Sequence, residues 1–158
     1  MVLKILFVCT GNICRSPTAH AIARYQVKNL GLENKIIIDS AGIEGFHVGD
    51  ISDYRAIQVG REREISFDGI KSRKISLEDF KSSDYIFAMD KGHFKSMKLL
   101  SPKEYQDKIY MFLEFAEINN GRGEVRDPYY GGVEGFNQVF DLINNGVEKI
   151  LKKILERL

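Results

Sequence analysis

Cys9 and Arg15 have five residues between them, and the stretch that contains them, VCTGNICRSP from Val8 to Pro17, carries the densest chemistry in the chain. Thr10, Gly11 and Asn12 are small or turn-forming. With Ile13 and Cys14 they can curl until several backbone N–H groups converge in an anion-binding bowl of phosphate size. Pro17 suits the first turn of a helix, where its missing N–H costs nothing, so the bowl is expected to open onto a helix's positive end. That setting favours a thiolate at Cys9 over a thiol. Arg15 offers a planar fork for two phosphoryl oxygens and for the charge spread in a phosphoryl-transfer transition state. Ser16 can donate its hydroxyl to the sulfur, steadying it as nucleophile and then as leaving group. A nucleotide loop is excluded, because GxxxxGK[ST] is absent. Taken singly, a cysteine after a strand is also an ordinary buried apolar residue, and an arginine at a helix start is often merely solvated.

A thiolate attacking a phosphate monoester needs an acid to protonate the departing oxygen. Asp127, in the late segment DPYYGG, is the candidate. The following proline keeps Asp127 extended, and the glycines turn the loop so that Tyr129 and Tyr130 can line a pocket. Asp-Pro also starts ordinary turns, and tyrosines also simply pack. Cys14 is either a partner for Cys9 in a reversible disulfide or a packed helix-start residue. Ser40, in DSAG, can hydrogen-bond Asn12 and lock its strained turn, or serve as a turn serine. Phe46, in GIEGFHVG, is a wall of the site's mouth or a core anchor. His47 and His93 are isolated from any partner at metal spacing, and His20 falls off the apolar stripe of its helix and reads as solvated.

These residues need a frame. Leu3–Val8 is a nearly continuous apolar run, as expected for a strand covered on both faces of a parallel sheet. Ala19, Ile22, Ala23, Val27 and Leu30 follow at helical spacing, with Gly31 as the stop. Ile36–Ile38 is a second strand. Ser52 is the expected cap of a helix through Arg61, and Ser76 with Asp79 starts another short one within a stretch, Arg61–Lys81, expected to be mainly solvated surface. Asp84–Met89 is a third strand, and Lys91–Leu100 a helix with Phe94, Met97 and Leu99 or Leu100 on the sheet. Ile109–Leu113 is a fourth strand. The segment beyond Phe115 lacks periodicity and reads as a long functional loop, and the closing helix turns Phe136, Val139, Phe140, Ile143, Val147, Ile150, Leu151 and Ile154 to one face. Residues 1–158 thus read as a single α/β domain. It is an open four-stranded parallel sheet, flanked by helices on both faces, with the phosphate-binding loop after the first strand.

Composition narrows the partners. A formal net charge of +1 leaves no nucleic-acid footprint, and no run of ~18 apolar residues is available to span a membrane. The opening MVLKILFVC is too short in its apolar part, and lacks a cleavage site, to act as an export signal, so a cytoplasmic protein is expected. The two cysteines have no zinc-site spacing, so no metal or other cofactor is expected.

VCTGNICRSP, DSAG, the Met89-Asp90 pair and DPYYGG together resemble the low-molecular-weight protein tyrosine phosphatases over nearly the whole chain. The resemblance implies a metal-free, two-step phosphatase acting on phosphotyrosine proteins and releasing inorganic phosphate. Cys9 would take the phosphoryl group while Asp127 protonates the phenol, and Asp127 would then deprotonate water. Arg15 and the amides of Thr10 to Cys14 would hold the phosphoryl oxygens. Asn12, Ser16 and Ser40 match the network that stabilises the loop, while Phe46, Tyr129 and Tyr130 match the pocket aromatics. Some members carry a histidine near Ile70 that joins the asparagine network, and this sequence has none there. Arsenate reductase on the same fold is disfavoured by the absence of two further cysteines. Protein arginine phosphatase is disfavoured by Ile13 and the tyrosine pair, and a non-catalytic phosphate-binding module by the presence of all three catalytic residue types.

Overall fold

The computed structural model describes residues 1–158. The first apolar run is β1 (Leu3–Cys9), at the heart of an all-parallel sheet ordered β2-β1-β3-β4, with β2 at Ile36–Gly42, β3 at Tyr85–Ala88 and β4 at Ile109–Met111. Alternation along β1 sends Ile5, Phe7 and Cys9 into one hydrophobic layer, and Leu6 and Val8 into the other. Both faces are covered, which is why the strand is apolar throughout. The thicker layer is closed by α1 (Arg15–Asn29), α2 (Tyr54–Glu62), α5 (Phe112–Phe115) and α6 (Gly132–Glu156). The thinner is closed by α3 (Leu77–Ser82) and α4 (Lys91–Leu100). From β1 the chain crosses to β2 on one side, and β3 and β4 lie on the other. The carboxyl end of β1 is therefore the switch point where ligands of such sheets bind.

Local signals explain most boundaries. α1 stops at Gly31, whose φ of 70° permits two closing bonds, Gly31 N–H to Lys28 O at 2.9 Å and Leu32 N–H to Val27 O at 3.0 Å. α3 is capped by Ser76, whose N–H donates to Asp79 Oδ2 at 2.8 Å, as a capping box requires. All eight apolar residues expected on the inner face of α6 are buried.

Several expectations need correction. The cap of α2 is Asp53, whose carboxylate accepts from Arg55 N–H at 2.8 Å, while Ser52 is buried instead. A carboxylate cap gains from the helix dipole as a hydroxyl does not. Leu30, Leu99 and Leu100 are exposed, and only Met97 of the α4 candidates is fully buried. β4 ends at Met111, and the chain turns at once into α5, which carries Phe112 and Leu113 into the core. Most of Arg61–Lys81 is exposed, as expected, but the stretch also sends Ile65, Phe67, Ile70, Ser72, Ile75 and Phe80 inward. No helix is long and apolar enough to cross a membrane.

Candidate active site

The loop after β1 turns on Asn12, which is fully buried and holds a left-handed φ of 55° that asparagine tolerates better than most residues. Its carboxamide spans the turn: Nδ2 donates to Ser16 Oγ at 2.8 Å, and Oδ1 accepts from Arg73 N–H at 3.0 Å. Next door, Ser72 donates to Gly11 O at 2.8 Å. Residues 72 and 73 thus brace the loop from outside, while Ile70, where a histidine was noted as missing, is a buried apolar residue. The end of β2 presses on the same loop. A Cβ at Gly42 would lie 2.8 Å from Thr10 O and 3.1 Å from Asn12 N, so only glycine fits.

Ser40 does not bond Asn12. Its hydroxyl lies 2.8 Å from His20 Nδ1, and His20, expected to be solvated, is packed over the sheet, where burial drives its pKa down to about 4. A neutral imidazole behind the loop is the result.

Cys9 is almost fully buried at the end of β1, with Sγ 3.0 Å from Ser16 Oγ. Arg15, at the start of α1, reaches across the switch point. Nη1 donates to Asp90 Oδ2 and to Val125 O, each at 2.9 Å, and Nη2 donates to Thr10 Oγ1 at 3.3 Å. Its Nε is buried and has no protein partner. Asp90 also caps α4, Oδ1 accepting from His93 N–H at 2.9 Å. Burial opposes the ionisation of Asp90, but the His93 N–H and ring and the Arg15 guanidinium together bring its pKa below the usual carboxylate range. Burial pushes the Cys14 thiol well up, with Asp53 and Cys9 adding to the shift, so it stays protonated.

The loop after α5 delivers Asp127 to the same mouth. Its Oδ2 stands 3.6 Å from Arg15 Nη2, and its Oδ1 accepts from Tyr129 N–H at 3.0 Å. A cleft of about 280 Å³ joins Cys9, Arg15 and Asp127 to Phe46, Tyr129 and Tyr130, with Thr10, Gly11, Ile13 and Cys14 beneath them. Asn12, Ser16 and Ser40 lie behind this surface. Phe46 and Tyr130 are largely exposed, so they are rims of the mouth and not core anchors. A groove of about 590 Å³ between Ile51 and Lys71 is larger but holds neither thiol nor converging amides, so size does not select the site. No three His, Cys, Asp or Glu side chains converge as a metal's ligands do.

Two residues of this constellation escaped the sequence. His47 lines the cleft, and His93 packs beneath it, its ring touching Thr10 and Arg15. The only signal was MD followed three residues later by histidine, a capping-box spacing.

The comparisons agree with this geometry. Residues 4–158 match the family model described as low molecular weight phosphotyrosine protein phosphatase. The low molecular weight protein-tyrosine-phosphatase YfkJ of Bacillus subtilis is 40% identical over 96% of both chains. The low molecular weight phosphotyrosine protein phosphatase of Schizosaccharomyces pombe is 39% identical over 96% of this chain and 97% of its own. A crystal structure of protein tyrosine phosphatase from Entamoeba histolytica, with Hepes in the active site, superposes with a TM-score of 0.91 at 41% identity, covering 98% of this chain and 97% of that one. With loop, strand order and full-length similarity in accord, the chain belongs to the low molecular weight protein tyrosine phosphatases.

Proposed function

We propose that this enzyme hydrolyses phosphotyrosine in proteins through a phosphocysteine on Cys9. The observation that carries the reading is the Arg15 guanidinium. One nitrogen is anchored by Asp90 and Val125, a second by Thr10, and Nε is buried without a protein partner, in a side chain that lines the cleft holding Cys9. A buried N–H of that kind needs an acceptor, and a phosphoryl oxygen supplies one.

In the first step the Cys9 thiolate forms an S–P bond as the P–O bond to the tyrosine breaks, and Asp127 gives its proton to the leaving phenolate. In the second, the Asp127 carboxylate takes a proton from water, whose oxygen bonds to phosphorus while the S–P electron pair returns to Cys9. Inorganic phosphate leaves. Ser16 stabilises the thiolate at both ends of the cycle, and Arg15 with the loop amides holds the non-bridging oxygens. The aromatic rims favour phosphotyrosine, whose ring fills the mouth as a phosphoserine cannot. A reducing cytoplasm fits an enzyme whose two cysteines are both free and whose nucleophile is one of them.

The test is hydrolysis of para-nitrophenyl phosphate and of phosphotyrosine and phosphoarginine peptides, with vanadate and chelator controls. Vanadate-sensitive, chelator-insensitive turnover that prefers phosphotyrosine and vanishes in Cys9→Ser, with phosphate binding retained, is expected. Turnover that survives Cys9→Ser ends the covalent mechanism, and a preference for phosphoarginine ends the substrate assignment.

A further inference from the structure

The Thr10 hydroxyl is held from two elements far from it in sequence. Oγ1 lies 2.8 Å from Nε2 of His93, 83 residues away, and accepts from Arg15 Nη2 at 3.3 Å. The other end of the imidazole is fixed as well. The Asp90 backbone N–H donates to His93 Nδ1 at 3.3 Å, closing the first turn of α4. Asp90 Oδ1 is also near Nδ1, at 3.2 Å, and Arg15 Nη2 lies 3.5 Å from Nε2, but Oδ1 is already engaged by the His93 N–H, Nη2 has the nearer Thr10 Oγ1 as its acceptor, and only the acceptor role for Nδ1 pairs the Asp90 N–H.

The groups around the ring keep it neutral. Burial and then Arg15 drive its pKa down to about 4, against the opposing pull of Asp90, Asp127 and Glu124. A neutral ring that accepts at Nδ1 carries its proton on Nε2 and donates it to Thr10. Thr10 Oγ1 then receives two N–H groups, from His93 and Arg15, which occupies both its lone pairs. Its own O–H can only donate, and Thr10 lines the cleft beside Cys9.

We infer that Thr10 is a side-chain hydrogen-bond donor to the bound phosphoryl group, and that His93 is the positioning residue that aims it. The inference rests on the phosphatase reading above and adds to it. The loop's amides are donors by construction, whereas a hydroxyl chooses its direction, and here a histidine from the neighbouring strand's helix makes the choice. Thr10 acts on the substrate directly. His93 acts through Thr10.

The experiment uses inorganic phosphate as the probe, both as a competitive inhibitor of para-nitrophenyl phosphate hydrolysis and by direct titration. Thr10→Val removes the hydroxyl at nearly constant shape and is expected to weaken phosphate binding and kcat/KM about tenfold, the loss of one hydrogen bond to a charged group. Thr10→Ser is expected to restore both. His93→Phe keeps a ring but cannot donate; it is expected to cost about as much in the natural background, yet to add almost nothing in Thr10→Val. Equal losses in both backgrounds overturn the inference, since a merely structural ring acts regardless of residue 10. The tautomer is read independently on the unmodified protein by nitrogen-15 NMR: a proton on Nε2 is expected, and a proton on Nδ1 overturns the inference even if His93→Phe fails to fold. Cys9-dependent turnover with Thr10→Val binding phosphate as the natural chain does sinks this inference alone. Absent turnover sinks the phosphatase reading and leaves the titration to decide this one.

Discussion

The Asn12 carboxamide donates to the Ser16 hydroxyl at 2.8 Å, and that hydroxyl lies 3.0 Å from the Cys9 sulfur. With its oxygen occupied as an acceptor, Ser16 turns its proton toward the best remaining acceptor. In the mechanism proposed above, the Cys9 sulfur at 3.0 Å outcompetes Ala41 O at 3.4 Å once it carries the negative charge of the nucleophile. The strained residue of the loop therefore directs the proton that stabilises the sulfur.

Ser16→Ala is expected to make Cys9 a poorer leaving group, so breakdown of the phosphoenzyme should slow by about tenfold, the worth of one charge-assisted hydrogen bond. Stopped-flow detection of para-nitrophenol should then show a burst followed by a slow steady state. A natural rate without a burst would separate Ser16 from the sulfur's chemistry.

Asp127 is half exposed on a loop and touches the site through Arg15 at 3.6 Å, so replacing it should spare the fold. Asp127→Asn removes the proton donor and is expected to reduce kcat/KM about 10²- to 10⁴-fold, the usual range for a general acid. The loss should be greater for phenyl phosphate than for para-nitrophenyl phosphate, whose leaving oxygen needs less help. Equal losses for the two esters would assign the acid to another group.

The parts of this molecule legible in its sequence are those whose causes are local. β1 is a nearly continuous apolar run, α4 runs from Lys91 to Leu100 as its pattern required, and Ser76 with Asp79 announces α3 by spacing alone. The Cys9–Arg15 loop was readable because its chemistry is contiguous. His93 was not, because its partner Thr10 is 83 residues away and nothing near either residue records the contact. His20 was misread because α1 buries more of its circumference than one apolar stripe, leaving a polar residue to find Ser40 over the sheet. Arg61–Lys81 is mainly surface, as its charges suggested, but its brace on the phosphate loop was not legible, because the Ser72 side chain and the Arg73 backbone N–H make it and no motif marks either.

Two histidines, His93 buried and His20 partly so, give the fold an acid-sensitive window. His20 and His93 each have a folded pKa of about 4, against ~6.5 in an unfolded chain. Between those values the unfolded chain binds protons that the folded one refuses, so stability is full above the unfolded pKa and falls as pH drops from ~6.5 toward 4. Below the folded pKa this contribution levels off, and the depressed carboxylates Asp79 and Asp90 add a separate loss at lower pH. Each histidine contributes a slope of at most about 1.4 kcal/mol per pH unit within the window. Urea denaturation between pH 7.5 and 4 should show this decline, and His20→Gln should make it shallower by one proton's worth. An unchanged slope in that variant would mean that His20 is protonated in the fold.

Gly146 sets helix propensity against packing. It lies in the middle of α6, where alanine is intrinsically favoured over glycine by about 1 kcal/mol. A Cβ there would stand only 2.3 Å from Cε1 of Phe112, a fully buried ring that stacks edge-on against Phe7 and Phe87. Phe112 cannot withdraw without disturbing the layer beneath β1, and forced overpacking of this kind costs about 1–3 kcal/mol. The clash is well inside any real carbon–carbon contact, so packing should prevail and Gly146→Ala should lower the unfolding free energy. Equilibrium urea denaturation measures the difference, with kcat at 25 °C expected to stay near the natural value because Gly146 is not among the residues that line the cleft. A gain in stability would show that α6 can slide away from Phe112 at little cost.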